Sequence, residues 1–82
     1  MPLQIQLYGT LREIAGTPRL AVDLPRSPAD VVELKALIGQ ALPALEPYLG
    51  AVAVCVDDAL IAPADPLPPL TEIALIPPVS GG

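Results

Sequence analysis

One stretch of this chain repeats apolar residues at the spacing of a long helix, and it limits what the rest can become. Val31, Leu34, Leu37, Ile38, Ala41, Leu42 and Leu45 follow at steps of three and four, forming the stripe of an amphipathic helix. Ser27 is a plausible cap with Pro28 at the first helical position, and Pro43 should end the helix. A stripe of this kind has to be covered, and the flanking segments have the alternation of half-buried strands.

Leu3, Ile5 and Leu7 alternate with Gln4 and Gln6 up to Gly9, and Leu20, Val22 and Leu24 alternate with Ala21 and Asp23 up to Pro25. Between them, Thr10 as cap with Glu13 three residues later suggests a capping box for a short turn over Leu11 to Ala15, stopped at Gly16. After the principal helix, Pro47 and Gly50 mark a turn. Val52, Val54 and Val56 form a third strand face ended by Asp57-Asp58, and Ala59 to Ile61 read as a short fourth strand. Residues 63–70 hold four prolines and must be irregular, whereas Glu72 to Ile76 form a last strand stopped by Pro77-Pro78. The fold class this predicts is α+β, a mixed sheet with one principal helix packed across one face.

Length makes this a single domain: 82 residues do not divide into two cores. The 12 prolines sit between apolar runs, so with 52% hydrophobic residues the chain has enough to bury. One helix covers one sheet face only. The opposite positions, Ala21, Ala53, Cys55, Ala74 and Ile76, are small or apolar, and are either ordinary surface or a docking face.

Charge excludes whole classes of function. Net charge is −5, the four basic residues Arg12, Arg19, Arg26 and Lys35 are scattered, and Tyr8 and Tyr48 are the sole aromatics. That is no footprint for nucleic acid or for an anionic membrane. No apolar run approaches the roughly 20 residues of a membrane span, and MPLQIQLYG lacks the features of a signal peptide. A lone cysteine cannot form an internal disulfide, so the expected location is the cytoplasm.

Side chains offer little chemistry. Histidine is absent, no glycine-rich phosphate loop occurs and no clustered metal ligands are seen. Asp57-Asp58 reads as a solvated turn, Cys55 as a small strand hydrophobe, and the tyrosines as core or rim. The ending differs: Pro77 and Pro78 hold the backbone extended, Val79 and Ser80 add little bulk, and Gly81 and Gly82 have no Cβ. Such a backbone enters channels that exclude side chains, and five residues past Pro77 reach about 15–18 Å. Read alone, it is equally an idle, frayed end.

The ending LIPPVSGG resembles that of the MoaD-type sulfur carriers, the small subunits of molybdopterin synthase. The run Tyr8-Gly9-Thr10-Leu11-Arg12-Glu13-Ile14-Ala15-Gly16 is similar to their amino-terminal signature, and Val54 to Asp58 followed by Asp65-Pro66-Leu67 occur in matching order. The chain departs from them at Pro68-Pro69-Leu70-Thr71-Glu72, where they commonly carry a polar Asp-Gly-Asp-Glu-like turn.

The resemblance implies a β-grasp, ubiquitin-like domain over residues 1–76 and an extended, flexible tail over 77–82. It implies that the working group is the Gly82 carboxyl, adenylated by an E1-like, MoeB-type enzyme using ATP and converted to a thiocarboxylate by a sulfur donor system. The tail, Pro77, Pro78, Val79, Ser80 and Gly81, would then thread into the large, MoaE-type synthase subunit, which binds the substrate, cyclic pyranopterin monophosphate. Ile76, Ala74 and Cys55 would belong to the docking face. No cofactor or metal is expected on this chain, and catalytic groups are expected on the partner. The alternatives are a related carrier for thiamine, tRNA thiolation or protein conjugation, or a plain interaction module.

Overall fold

In a computed structural model that describes residues 1–78, the first strand, β1 (Pro2–Leu7), buries Leu3, Ile5 and Leu7 on one face. Strand β2 (Arg19–Asp23) returns antiparallel beside it, from Gln6 opposite Arg19 to Pro2 opposite Asp23. Leu24 falls just beyond β2 yet is buried, with its N–H donated to the Met1 carbonyl at 2.7 Å.

Helix α1 (Gly9–Ala15) joins these strands, and the capping box suggested for it does not form. Tyr8 takes the cap position, and its carbonyl already accepts the Leu11 N–H at 3.2 Å. Thr10 therefore stands inside the helix, where its hydroxyl has no free N–H ahead of it to satisfy. The helix stops at Gly16, as the sequence suggests.

Helix α2 (Val31–Ala41) starts later than Ser27-Pro28 suggests. Asp30 is the cap: its Oδ1 accepts the Glu33 N–H at 2.9 Å, while Glu33 Oε1 accepts the Ala29 N–H at 2.8 Å. This reciprocal pair satisfies two amides at once and fixes the start there; caps of this kind contribute about 0.5–2 kcal/mol. Val31, Leu34, Leu37 and Ile38 are buried as the stripe requires, but Ala41 is exposed. The helix ends at Ala41, and Leu42 and Leu45 reach the core from the turn around Pro43, which has no N–H to continue the ladder.

A turn was expected at Pro47 and Gly50; the segment is a 3₁₀ helix, Glu46–Ala51, packed against α2. The close approach requires Gly39, since a Cβ there would lie 2.9 Å from Glu46 Cγ. Strand β3 (Ala53–Val56) begins one residue after Val52, which is buried but outside the strand. It pairs with β4 (Ala59–Ile61) across Asp57 and Asp58, with φ of 52° and 65°. Two consecutive positive φ values are those of a type I′ hairpin turn, whose twist matches the strands.

Residues 62–71 contain neither helix nor strand. Strand β5 (Glu72–Ile76) then runs up the middle of the sheet, parallel to β1 and antiparallel to β3. The order is β2-β1-β5-β3-β4. The helix stripe and the inward strand residues form one core, in which Ile5, Leu11, Leu34, Ile38 and Leu75 have no exposed surface. This is the mixed sheet with one principal helix that the sequence predicts, in the β-grasp arrangement that the resemblance implies. Tyr8 and Tyr48, about half exposed, belong to the rim and not to the core. Among the described residues, no helix is long and apolar enough to cross a membrane.

Candidate docking face and tail root

Strand register settles what lies on the face that α2 leaves open. Arg19 pairs with Gln6, Gln6 with Ala74, Ala74 with Cys55, and Cys55 with Leu60. One row of side chains thus crosses all five strands. Beside it, Ala21, Gln4 and Glu72 form a second row, and Ala53 and Ile76 pair in a third. Side chains alternate between faces, so all three rows point away from the core. Ala21 and Ile76 are exposed, while Ala53, Cys55 and Ala74 are half-buried. Every sequence-predicted face residue is therefore on this side.

Small residues at the centre leave a hollow of about 540 Å³ over Ala74 and Cys55, with Ile76 and Tyr8 at its edge and Asp57, Asp58 and Glu72 around it. Tyr8 donates its hydroxyl to Gln6 Oε1 at 2.9 Å, and Gln6 Nε2 donates to Glu72 Oε2 at 3.1 Å. The polar side chains are thus held across β1 and β5, beside an apolar floor. Leu60, 68% exposed, stands opposite Cys55 at the β4 end of the same row. Tyr8, Leu60 and Ile76 are three of the five large hydrophobics left exposed among the described residues, a concentration that fits docking better than chance exposure.

Cys55 is a free thiol in the wall of this hollow. No Lys or Arg lines it; the charged groups around the thiol are the carboxylates of Asp57, Asp58 and Glu72. Among the described residues, no group of three or more His, Cys, Asp or Glu is placed to hold a metal ion.

The tail begins at the same place. β5 ends at Ile76, and Pro77 is half-buried against the start of α1. Gly9 has φ +56°, and a Cβ on it would meet Pro77 Cγ at 3.0 Å, so glycine is needed both for the backbone and for the proline. This fixes the direction in which the chain leaves the sheet. Pro78 is exposed; Val79, Ser80, Gly81 and Gly82 lie outside the described residues.

The sequence reading passed over Gln6, Tyr8, Glu72 and Leu60 as parts of this face. The parity of β1 carries on from Gln4 through Gln6 to Tyr8 and could have placed the last two. Leu60 follows from the two-residue hairpin, which forces it opposite Cys55. The arginines were also not as dispersed as they look in sequence. Arg12 and Arg19 line one notch together with Gln6, Leu7, Tyr8 and Pro18.

Comparison with known proteins agrees with this geometry. The model of the ThiS family matches residues 5–82. The chain is 32% identical to a molybdopterin synthase sulfur carrier subunit of Caenorhabditis elegans, over 98% of this chain and 96% of that one. Among solved structures, SAMP1 from Haloferax volcanii aligns over 100% of both chains with TM-score 0.74 and 28% identity. A chain in the complex of subunits 1 and 2 of molybdopterin-converting factor from Helicobacter pylori aligns over 100% of both with TM-score 0.60 and 29% identity. The match to the family model runs from the middle of β1 to the terminal glycines, and on it the chain belongs to the ThiS family.

Proposed function

We propose that this protein is the sulfur carrier of molybdopterin synthase, with residues 1–76 as platform and 77–82 as the working tail. The observation that carries the reading is the join between them: central strand β5 runs from the open face into Pro77, which is fixed against Gly9. A partner seated on the face is thereby placed where the tail departs. The family match and the likeness to a chain that forms a complex of two subunits support it.

In this reading the Gly82 carboxylate attacks the α-phosphorus of ATP in an E1-like, MoeB-type enzyme. Pyrophosphate leaves and an acyl-adenylate forms. The step is needed because a carboxylate is a poor electrophile, whereas AMP is a good leaving group. A sulfur donor system then displaces AMP, and Gly82 carries a thiocarboxylate. Gly81 and Gly82 enter a narrow channel in the large, MoaE-type subunit, where sulfur passes to cyclic pyranopterin monophosphate. Nucleotide and pterin are held by the partners.

A second reading is favoured by the likeness to SAMP1, a small archaeal modifier protein. The same activated Gly82 carboxyl would be captured by a lysine amine, giving a conjugate in place of a sulfur product.

Reconstitution with the large subunit and the pterin substrate tests the proposal: the thiocarboxylated chain should yield molybdopterin without any conjugate. Docking has its own check. Ala74 stands at the centre of the open face, so Ala74→Trp fills the hollow with an uncharged ring without touching the core. Affinity for the large subunit should fall by about tenfold or more, as for loss of a central contact, with the unfolding midpoint nearly unchanged. Wild-type affinity in titration calorimetry would remove the face from the interface.

A further inference from the structure

The open face is electrically two-sided. Its cations and anions lie in separate hollows that share a wall, made of Gln6 and Tyr8. On the β2 side, the notch of about 270 Å³ is lined by Arg12 and Arg19 and by no carboxylate. On the β5 and β3 side, the larger hollow is lined by Asp57, Asp58 and Glu72 and by no cation. Glu13 lies in the next hollow, on the other side of Arg12.

Four other ionic groups near the sheet are already engaged with each other. Arg26 pairs with Glu33 at 3.2 Å, and the Met1 amine pairs with Asp23 at 2.9 Å. Arg12 and Arg19 form no ion pair among the described residues, nor do Asp57, Asp58 and Glu72. On this face, the charge without an ion pair is thus sorted to two ends, cations toward β2 and anions from β5 to the β3–β4 turn.

We infer that this face accepts the tail-handling partner in one orientation only, because that partner presents a carboxylate to Arg12 and Arg19 and a lysine or arginine to Asp57, Asp58 and Glu72. The inference rests on the sulfur-carrier reading and adds how the partner is recognised. An apolar centre of small residues gives adhesion but little direction, since Ala74 and Cys55 fit a partner turned either way. Charges of opposite sign on two sides remove that ambiguity: a partner rotated by half a turn would set like charges together, which an interface disfavours. Direction matters here because the tail leaves from one side of the face, at Pro77. A partner docked backwards would point its channel away from it. The other candidate occupant, a second copy of the chain, is disfavoured by the net charge of −5 that each copy brings.

The test inverts polarity without changing net charge. Arg19 and Glu72 are exposed residues on strands, so Arg19→Glu and Glu72→Arg together leave the net charge at −5 and the core intact. Binding to the purified large synthase subunit of the same organism is measured by titration calorimetry and stopped flow, with circular dichroism to check folding. The inverted variant should bind about tenfold or more weakly, with most of the loss in the association rate and with the salt dependence altered, as for charges that steer docking. If its affinity stays within about twofold of wild type while Ala74→Trp still weakens binding, the orientation inference is overturned and docking by this face stands. If wild type does not bind the subunit at all, the sulfur-carrier reading fails and this inference falls with it. A concentration-dependent wild-type dimer in analytical ultracentrifugation that competes with the subunit would assign the face to a second copy and likewise overturn it.

Discussion

Deleting Gly82 alone should reduce sulfur delivery by at least about a hundredfold while the domain folds and melts as before. The shortened chain still ends in a glycine carboxylate, on Gly81, so the chemistry of the group is unchanged and its position alone differs. One residue of extended backbone spans about 3.3–3.6 Å, and a reacting atom misplaced by about 1 Å already costs on the order of a hundredfold. Folding is untouched because the core closes at Leu75, and Ile76 and Pro78 are already exposed. Thiocarboxylate formation and synthase turnover, measured beside a thermal melt, check both halves. Near-normal turnover in the deletion would return the tail to the idle reading.

The opposite pattern is expected of Leu75→Ala. Leu75 has no exposed surface and sits on the central strand, opposite Leu7 on one side and Val54 on the other. Truncating a buried leucine removes transfer free energy and leaves a cavity, at a cost of about 2–5 kcal/mol. A domain of this length has ~4–12 kcal/mol in total, at 0.05–0.15 per residue. The melting temperature should therefore fall by at least about 8 °C, at 4–8 °C for each kcal/mol lost. Sulfur delivery should follow the folded fraction: near normal where the variant is folded, lost where it is not. An unfolding free energy lowered by less than about 1 kcal/mol in urea denaturation would show that β5 is not the keystone of this core.

These two results separate platform from tail, and the sequence already divides along that line. Alternation in Leu3-Ile5-Leu7, the stripe from Val31 to Ile38 and the turn at Asp57-Asp58 are local signals, each decided by a few neighbouring residues. They give the elements and the fold class without three-dimensional information. Where several local signals compete, the reading goes astray. Ser27, Pro28 and Asp30 are all good starts for α2, and the choice falls to Asp30 because Glu33 can answer it. Pro43 and Pro47 both mark breaks, which hides the 3₁₀ helix whose Leu49 fills the end of the core.

The site was legible in part for a different reason. Face membership of Ala74, Cys55 and Ile76 follows from period two alone. The sorting of charge does not, because it depends on register between strands far apart in sequence. Arg12 and Arg19 become neighbours only when α1 and β2 fold against β1, and Glu72 joins Gln6 only through the parallel pairing of β5 with β1. Nothing short-range specifies that pairing. Pro77 against Gly9 is a contact of the same sort. The resemblance supplied the role of the terminal glycines, which no periodicity could have given.

The central claim, a sulfur-bearing carboxyl on the last glycine, is tested most directly by intact-protein and fragment mass spectrometry. The chain is incubated with its activating enzyme, ATP and a sulfur donor. The expected product has one oxygen replaced by sulfur, located by fragmentation to Gly82 and missing when ATP is withheld. An unchanged mass under conditions where the enzyme consumes ATP with this chain, or sulfur found on Cys55 instead, would contradict it.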